Sequence, residues 1–253
     1  LQSNIFLGLI VGENIITLQQ VSSTNDYLKQ NLSNSTPYRE GTVIMAEDQY
    51  AGKGQVGSVW KSQAGKNLTI SVLLNPNFLA PTSQFQLNIA VSLAIIQALE
   101  PLLGEPLSIK WPNDIYYNDK KLGGVLIENI IRGSQWKHAI IGIGLNINQT
   151  DFGDYTKACS LKQILRQTVN KKHILVTLCE ALSHQYDLLK RGLIAQQKQA
   201  YHHKLYKLGK TSLFEIAGLQ YQGKIIDTTE AGRLIIDFGD RITDFGIKEI
   251  AFC

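Results

Sequence analysis

Lys110-Trp111-Pro112-Asn113-Asp114, followed by Lys120-Lys121-Leu122-Gly123-Gly124, lies between apolar runs: Ser108-Ile109 lead in and Val125-Leu126-Ile127 lead out. The pattern is strand, turn, strand, turn, strand over 107–110, 115–117 and 124–130, with Tyr117-Asn118-Asp119-Lys120 as a hairpin turn. Hairpin-linked strands in succession predict an α+β fold with a mixed sheet, not an all-parallel one, and no GxGxxG stands between a strand and a helix. Two cations, an amide and a carboxylate sit here beside a glycine pair. Charge among buried strands is costly unless a ligand or a partner satisfies it. The cluster points to a site for a polyanion and its metal; the alternative is a turn with an Asp cap and solvated lysines.

Working outward, 15–18, 42–46, 67–74 and 137–148 read as strands. Ser22-Ser23-Thr24-Asn25 supplies N-cap chemistry for a helix through Leu28, and 31–38 reads as a polar loop. Pro81-Thr82-Ser83 opens a long helix to Leu103, closed by Gly104. Gln86, Asn88, Ser92, Gln97 and Glu100 interrupt its apolar character, so it reads as a core helix and no membrane is expected. Segments 160–165, 172–191 and 195–201 are helical in pattern. Beyond Thr211 come short strands at 213–216, 221–227, 234–238 and 247–252, punctuated by glycines, as in a small β-barrel. The expected division is a domain over 1–206 and a small β domain over 207–253.

The 253 residues are 44% hydrophobic and 18% charged, with a net charge of +4, as in an ordinary globular protein with no nucleic-acid coat. Cys159, Cys179 and Cys253 form no CxxC or His/Cys cluster. Disulfides and structural zinc are therefore not expected, and a reducing cytoplasm is. No basic stretch precedes the first apolar residues as in a signal peptide, and Leu1 in place of Met points to a processed or trimmed start.

Four motifs carry chemistry. Gly52-Lys53-Gly54-Gln55-Val56-Gly57-Ser58, ending at Trp60, offers backbone N–H groups and a cation to an anion and an indole face to a ring; it is not a Walker loop, and a plain surface loop is the other reading. In the lysine cluster, Asp114 suits a magnesium ion bridging phosphates, Asn113 suits the same ligand, and Lys110 and Lys121 suit transferring charge. Ser22 to Asn25 either only caps a helix or also fixes a small polar ring. Asn146, in Gly142-Ile143-Gly144-Leu145-Asn146-Ile147-Asn148, contacts a nucleotide or is a buried amide satisfied by backbone. The five histidines have no metal spacing.

These segments, with Ala46-Glu47-Asp48-Gln49-Tyr50-Ala51 and Gly57-Ser58-Val59-Trp60, follow the order and spacing of biotin protein ligases, which the chain resembles along nearly its whole length. The resemblance implies a catalytic fold similar to class II aminoacyl-tRNA synthetases, plus an SH3-like C-terminal β domain. It implies ATP and biotin as substrates, Mg2+, and transfer of biotin from biotinyl-5′-adenylate to a lysine of a carboxylase's biotin carboxyl carrier domain. It places biotin at Ser23, Thr24, Asn25, Gln49, Gly52, Lys121, Gly123 and Gly124. ATP falls to Lys53, Gly54, Gln55, Trp60, Asn113, Lys121 and Asn146, the metal to Asp114, and catalysis to Lys121, Asp114, Lys110 and Lys53. The family's DNA-binding repressors carry a helix-turn-helix domain first. Too little precedes Ser22 for three helices, so the expectation is the monofunctional type, without DNA, as a monomer or a homodimer. A lipoate ligase and a non-catalytic binding module are the competing readings.

One departure stands out. The family loop is often Gly-Arg-Gly-Arg-Arg-Gly-Arg; here Lys53, Gln55, Val56 and Ser58 hold those positions, and only Lys53 is cationic. Either the adenylate leaks more readily, or Lys110 and Lys121 supply most of the field.

Overall fold

Apolar side chains on both faces of the central strands decide the architecture. The computed structural model describes residues 9–32 and 38–253, so 33–37 of the expected 31–38 loop lie outside the described residues. The chain runs β1 (Ile15–Val21), α1 (Thr24–Asn31), β2 (Val43–Gln49), a small hairpin of β3 (Gly52–Lys53) and β4 (Val59–Trp60), then β5 (Leu68–Leu74) and α2 (Gln84–Leu103). After these come β6 (Leu107–Lys110), β7 (Asp114–Tyr117), β8 (Lys120–Arg132) and β9 (Gln135–Leu145). Seven strands form one sheet in the order β1-β2-β5-β9-β8-β7-β6. The β1–β2 pair is parallel and the others are antiparallel, which is the mixed sheet expected.

All seven residues of β5 are buried. Because side chains alternate along a strand, Ile70, Val72 and Leu74 join the large core with α2, while Leu73 faces Leu28 of α1 together with Ile44 and Ile140. Helix α2 is apolar nearly all round, which suits a helix inside a core. A 3-10 turn, Pro81–Ser83, starts it and Gly104, at φ +68°, ends it. Pro81–Leu103 is, among the described residues, the one helix long and apolar enough to cross a membrane; it packs in the core.

Three helices follow, α3 (Leu161–Leu165), α4 (Lys171–Lys190) and α5 (Ile194–His203). The second sheet comprises β10 (Thr211–Ile216), β11 (Leu219–Thr228), β12 (Leu234–Asp237), β13 (Ile242–Phe245) and β14 (Ala251–Phe252), in the order β13-β12-β11-β10-β14. Strand β13 was not expected. It exposes Ile242 and buries Phe245, so its pattern reads as a turn between two glycines. Of the strand expected at 247–252, only Ala251–Phe252 forms. Lys248 has φ +69° and the Glu249 N–H bonds the Gly246 carbonyl at 3.1 Å, so the segment turns instead of extending.

That sheet docks on the first through the Trp-Pro-Asn-Asp loop. The Trp111 indole N–H donates to the Gly232 carbonyl at 2.8 Å. Gly232 has φ +84°, and a Cβ there would lie 2.5 Å from the Phe85 ring. Asn88 and Tyr201 both donate to the Pro112 carbonyl, at 2.7 and 3.1 Å.

Candidate active site

A cavity of about 290 Å3 opens between the α1 N-terminus, the β3–β4 hairpin and the glycine-bearing faces of β8 and β9. Its polar end is built by α1. Ser23 caps the helix by accepting from the Asp26 N–H, which places Ser23, Thr24 and Asn25 side by side on the cavity wall. The Gln49 Oε1 accepts from the Thr24 backbone N–H at 2.9 Å and from the Thr24 hydroxyl at 3.1 Å. Gln49 therefore stands at the end of β2 with its carbonyl oxygen committed to α1.

Missing side chains make the room. A Cβ on Gly144 would lie 2.5 Å from the Trp60 indole, one on Gly142 would lie 2.6 Å from Asn25, and one on Gly124 would lie 2.9 Å from Asp114. These glycines alternate with apolar residues that hold the core on the opposite face. The walls expected from 124–127 and 140–145 are present as Gly124, Val125, Leu126, Gly142, Ile143 and Gly144.

The glycine-rich segment is a tight hairpin that folds over this floor: Gly52 pairs with Trp60, Lys53 with Val59, and a 3-10 turn (Gln55–Gly57) tops it. Lys53, Gly54, Gln55 and Trp60 all line the cavity. Lys53 bonds Asp26 at 2.7 Å. The Trp60 Nε1–H is buried with no acceptor among the described residues, and such a group calls for a partner.

Across the floor, Lys121 and Asp114 form an ion pair at 2.7 Å, about a quarter exposed on each side. Both line the cavity, with Asn113 beside them. The Asn113 side-chain amide donates to the Val125 carbonyl and the Asn113 main-chain carbonyl accepts the Val125 N–H at 3.1 Å, so the residue clamps the loop to β8.

Two expected site residues are not brought to the cavity. The Lys110 ammonium lies 5.0 Å from the Tyr116 ring and 4.8 Å from the Phe252 ring, and bonds the Tyr116 hydroxyl at 3.2 Å. Burial lowers its pKa from the usual lysine value, against the pull of Asp114. It braces the second sheet against the first. Asn146 is buried and donates to the Cys159 carbonyl at 3.0 Å, so its amide holds the chain leading into α3. Gly52 and Gly123 shape the walls without lining them: a Cβ on Gly52 would collide with Gln49 and Trp60, and one on Gly123 would meet β9. Among the described residues no group of three His, Cys, Asp or Glu could hold a metal. Burial pushes the Cys159 and Cys179 thiols up to about 11, so both stay protonated.

The biotin/lipoate A/B protein ligase family pattern matches residues 17–146, which carry the polar end, the hairpin, the floor and the ion pair. A Bacillus subtilis bifunctional ligase/repressor BirA is 31% identical over 258 residues, covering 98% of this chain and 76% of the relative. The chain belongs to the biotin/lipoate A/B protein ligase family.

Other relatives agree. A Mycobacterium tuberculosis biotin–[acetyl-CoA-carboxylase] ligase is 27% identical over 226 residues, 88% of this chain and 82% of the relative. The biotin protein ligase of Aquifex aeolicus, solved in complex with biotin and ATP, superposes with a TM-score of 0.79 at 29% identity, over 95% of this chain and 99% of that one.

Several residues at or behind the cavity of this family member were not expected from its sequence. Ser71, fully buried in β5, and Glu128, on β8, both bond Asn25. Their period-2 places on the face of Gly124 and Leu126 were the available signal. Ile247 and Lys248 reach the cavity from the second sheet, through a turn whose geometry no local pattern announced.

Proposed function

We propose that this chain is an ATP-dependent biotin protein ligase that makes biotinyl-5′-adenylate and passes biotin to a lysine of a biotin carboxyl carrier domain. One observation carries the proposal: a single cavity joins a hydroxyl-and-amide end, apolar glycine-cut walls, and an indole beside a lysine–carboxylate pair. Biotin's cyclic urea and its apolar ring and chain match the first two, and a nucleotide with its phosphates matches the last. A lipoate ring has no N–H or carbonyl to offer Thr24 and Gln49, and would leave them unpaired.

In the first step a biotin carboxylate oxygen attacks the α-phosphorus of ATP, an O–P bond forms and pyrophosphate leaves. Lys121 serves this step by exchanging Asp114 for the incoming anions. Asp114 would be the residue to hold Mg2+, which would neutralise phosphate charge when bound. Trp60 packs on the base, and the β3–β4 hairpin shields the mixed anhydride from water. In the second step the acceptor lysine's amine attacks the acyl carbon, the C–O bond to phosphate breaks, AMP leaves and the amine loses a proton. Beyond Gly124, strand β8 is paired only on its β9 side among the described residues, and this free edge suits either the acceptor or a second copy of the chain.

The same proposal divides the chain into a catalytic domain, 1–206, similar to class II aminoacyl-tRNA synthetases, and an SH3-like domain, 207–253. The tail contributes to the site. Lys248 lines the cavity with no ion pair among the described residues, while its neighbour Glu249 is held by Arg233 at 2.8 Å. It supplies charge that the arginine-poor hairpin lacks. Lys248→Asn, neutral and tolerant of the left-handed backbone, is expected to raise the ATP KM about tenfold. Gln55→Arg in that background should restore it; an unchanged KM in the single variant would remove Lys248 from the site.

Isotope exchange between pyrophosphate and ATP that depends on biotin, and not on lipoate, is the expected result for the protein. Exchange driven by lipoate, or none, counts against the proposal.

A further inference from the structure

Two limbs of chain attach Trp60 and its hairpin to the first sheet. The first limb is tied at the polar end of the cavity. The Tyr50 and Ala51 N–H groups donate to the Val21 and Ser22 carbonyls, at 3.2 and 2.9 Å, and Gly52 pairs with Trp60 across the hairpin. The second limb, 61–67, leaves Trp60 and rejoins the sheet at Leu68, the first residue of β5. Residues 61 and 63–66 are exposed, so burial does not hold this limb in place.

Two buried amides hold it instead. Gln149 Oε1 accepts from the Gln63 N–H at 3.0 Å and from the Asn67 NH2 at 2.6 Å, and the Gln149 NH2 donates to the Asp151 carbonyl at 2.7 Å. The Asn67 NH2 also donates to the Ser62 hydroxyl at 3.1 Å, and Asn67 Oδ1 accepts from the Ile147 N–H at 3.0 Å. Main-chain groups settle which way both amides face: the N–H groups of Gln63 and Ile147 only donate, and the Asp151 carbonyl only accepts. Asn67 is 3% exposed and Gln149 7%, so water does not replace a lost partner between them. Two further bonds, from the Gly65 N–H to the Glu47 carbonyl at 2.7 Å and from the Asn148 N–H to the Lys66 carbonyl at 2.8 Å, grip the limb farther from Trp60. At Ser62 and Gln63, two and three residues past the indole, the grip comes from the amide pair.

We propose that Asn67 and Gln149 are positioning residues for the nucleotide end: they fasten the second limb to the chain leaving β9 and so hold the Trp60 indole against Gly144. Neither amide lines the cavity. The positional claim stands on these bonds, and its consequence for ATP rests on the reading of Trp60 as the partner of the base. Gln149→Leu, similar in volume, takes the acceptor away from Gln63 and Asn67. Gln149→Glu keeps an acceptor for both and gives up the bond to Asp151. Asn67→Asp keeps the acceptor for Ile147 and loses the donor to Ser62 and Gln149.

The test uses the full chain. Acrylamide quenching of the Trp60 emission, taken as the difference between each protein and its own Trp60→Phe form, reads the place of the indole without any ligand. ATP KM and kcat come from biotin-dependent pyrophosphate exchange, and melting temperature is measured alongside. Gln149→Leu and Asn67→Asp are expected to raise the quenching constant about twofold, as the limb loosens. Their ATP KM should rise about tenfold with kcat within about twofold. Gln149→Glu should stay within about twofold of wild type in both readouts. Wild-type quenching or a wild-type ATP KM in Gln149→Leu and Asn67→Asp, with or without a lower melting temperature, overturns the role. A Gln149→Glu protein as impaired as Gln149→Leu overturns it too. If the wild-type protein shows no biotin-dependent exchange, the reading of the cavity falls, and the quenching alone then decides whether the two amides place Trp60.

Discussion

Lys121→Ala is expected to lower biotin adenylation by about 10^3-fold while the protein stays folded. The side chain is the ammonium nearest Asp114, at 2.7 Å on the cavity floor. Without it, the biotin carboxylate and the phosphates meet beside an uncompensated Asp114. The fold does not depend on that ammonium. The bonds holding the segment are main-chain: Lys121 N–H to the Lys157 carbonyl at 2.8 Å, and Cys159 N–H to the Lys121 carbonyl at 2.9 Å. A partly exposed ion pair adds little to stability, so the melting temperature should shift by no more than about a few degrees. Lys121→Arg keeps the charge but spreads it over a wider fork, so activity should return only in part. Near-normal exchange by the alanine variant would show that the cation is not catalytic.

Gly144→Ala is expected to damage ATP use by adding a single methyl group. The new Cβ would fall 2.5 Å from Cε2 and 2.6 Å from Cζ2 of Trp60. Strand β9 is paired on both sides and cannot yield, so the indole and its hairpin must. A displacement of the nucleotide's stacking partner by about 1 Å predicts a fall of about 10^2-fold in kcat/KM for ATP. Pairing the substitution with Trp60→Phe, a smaller ring, should recover part of the loss. Steady-state kinetics with ATP varied at saturating biotin reads both effects; wild-type values for Gly144→Ala would mean that Trp60 does not pack on the base.

The apolar patterns of 67–74 and 137–148 announced strands, and β5 and β9 are central strands of the first sheet, buried on both faces. Pro81 and Gly104 marked the ends of the core helix. The convergence on one cavity was legible where a motif fixes its own local geometry, as at Ser23 to Asn25, at Lys53, Gly54, Gln55 and Trp60, and at Asp114 and Lys121. What escaped was direction and distance. Lys110 sits four residues before Asp114 and pairs with it across a hairpin, yet its ammonium turns to the rings of Tyr116 and Phe252. Phe252 comes from the last strand, and no reading of 110–121 shows that it is near. Asn146, an amide at a strand end, read either as a nucleotide contact or as a buried amide satisfied by backbone, and its NH2 donates to the returning chain at Cys159. Ser71 and Glu128 matter through partners 46 and 103 residues away in sequence. Lys248 enters the site on a turn whose left-handed backbone no periodicity predicts.

The most direct test is a crystal structure of the chain grown with biotin and a non-hydrolysable ATP analogue. The ureido ring is predicted to lie against Thr24 and Gln49, the carboxylate to point to Lys121 beside the α-phosphate, and the adenine to pack on Trp60. A biotin ring seated at Trp60, or a nucleotide bound away from Lys121 and Asp114, would contradict the account.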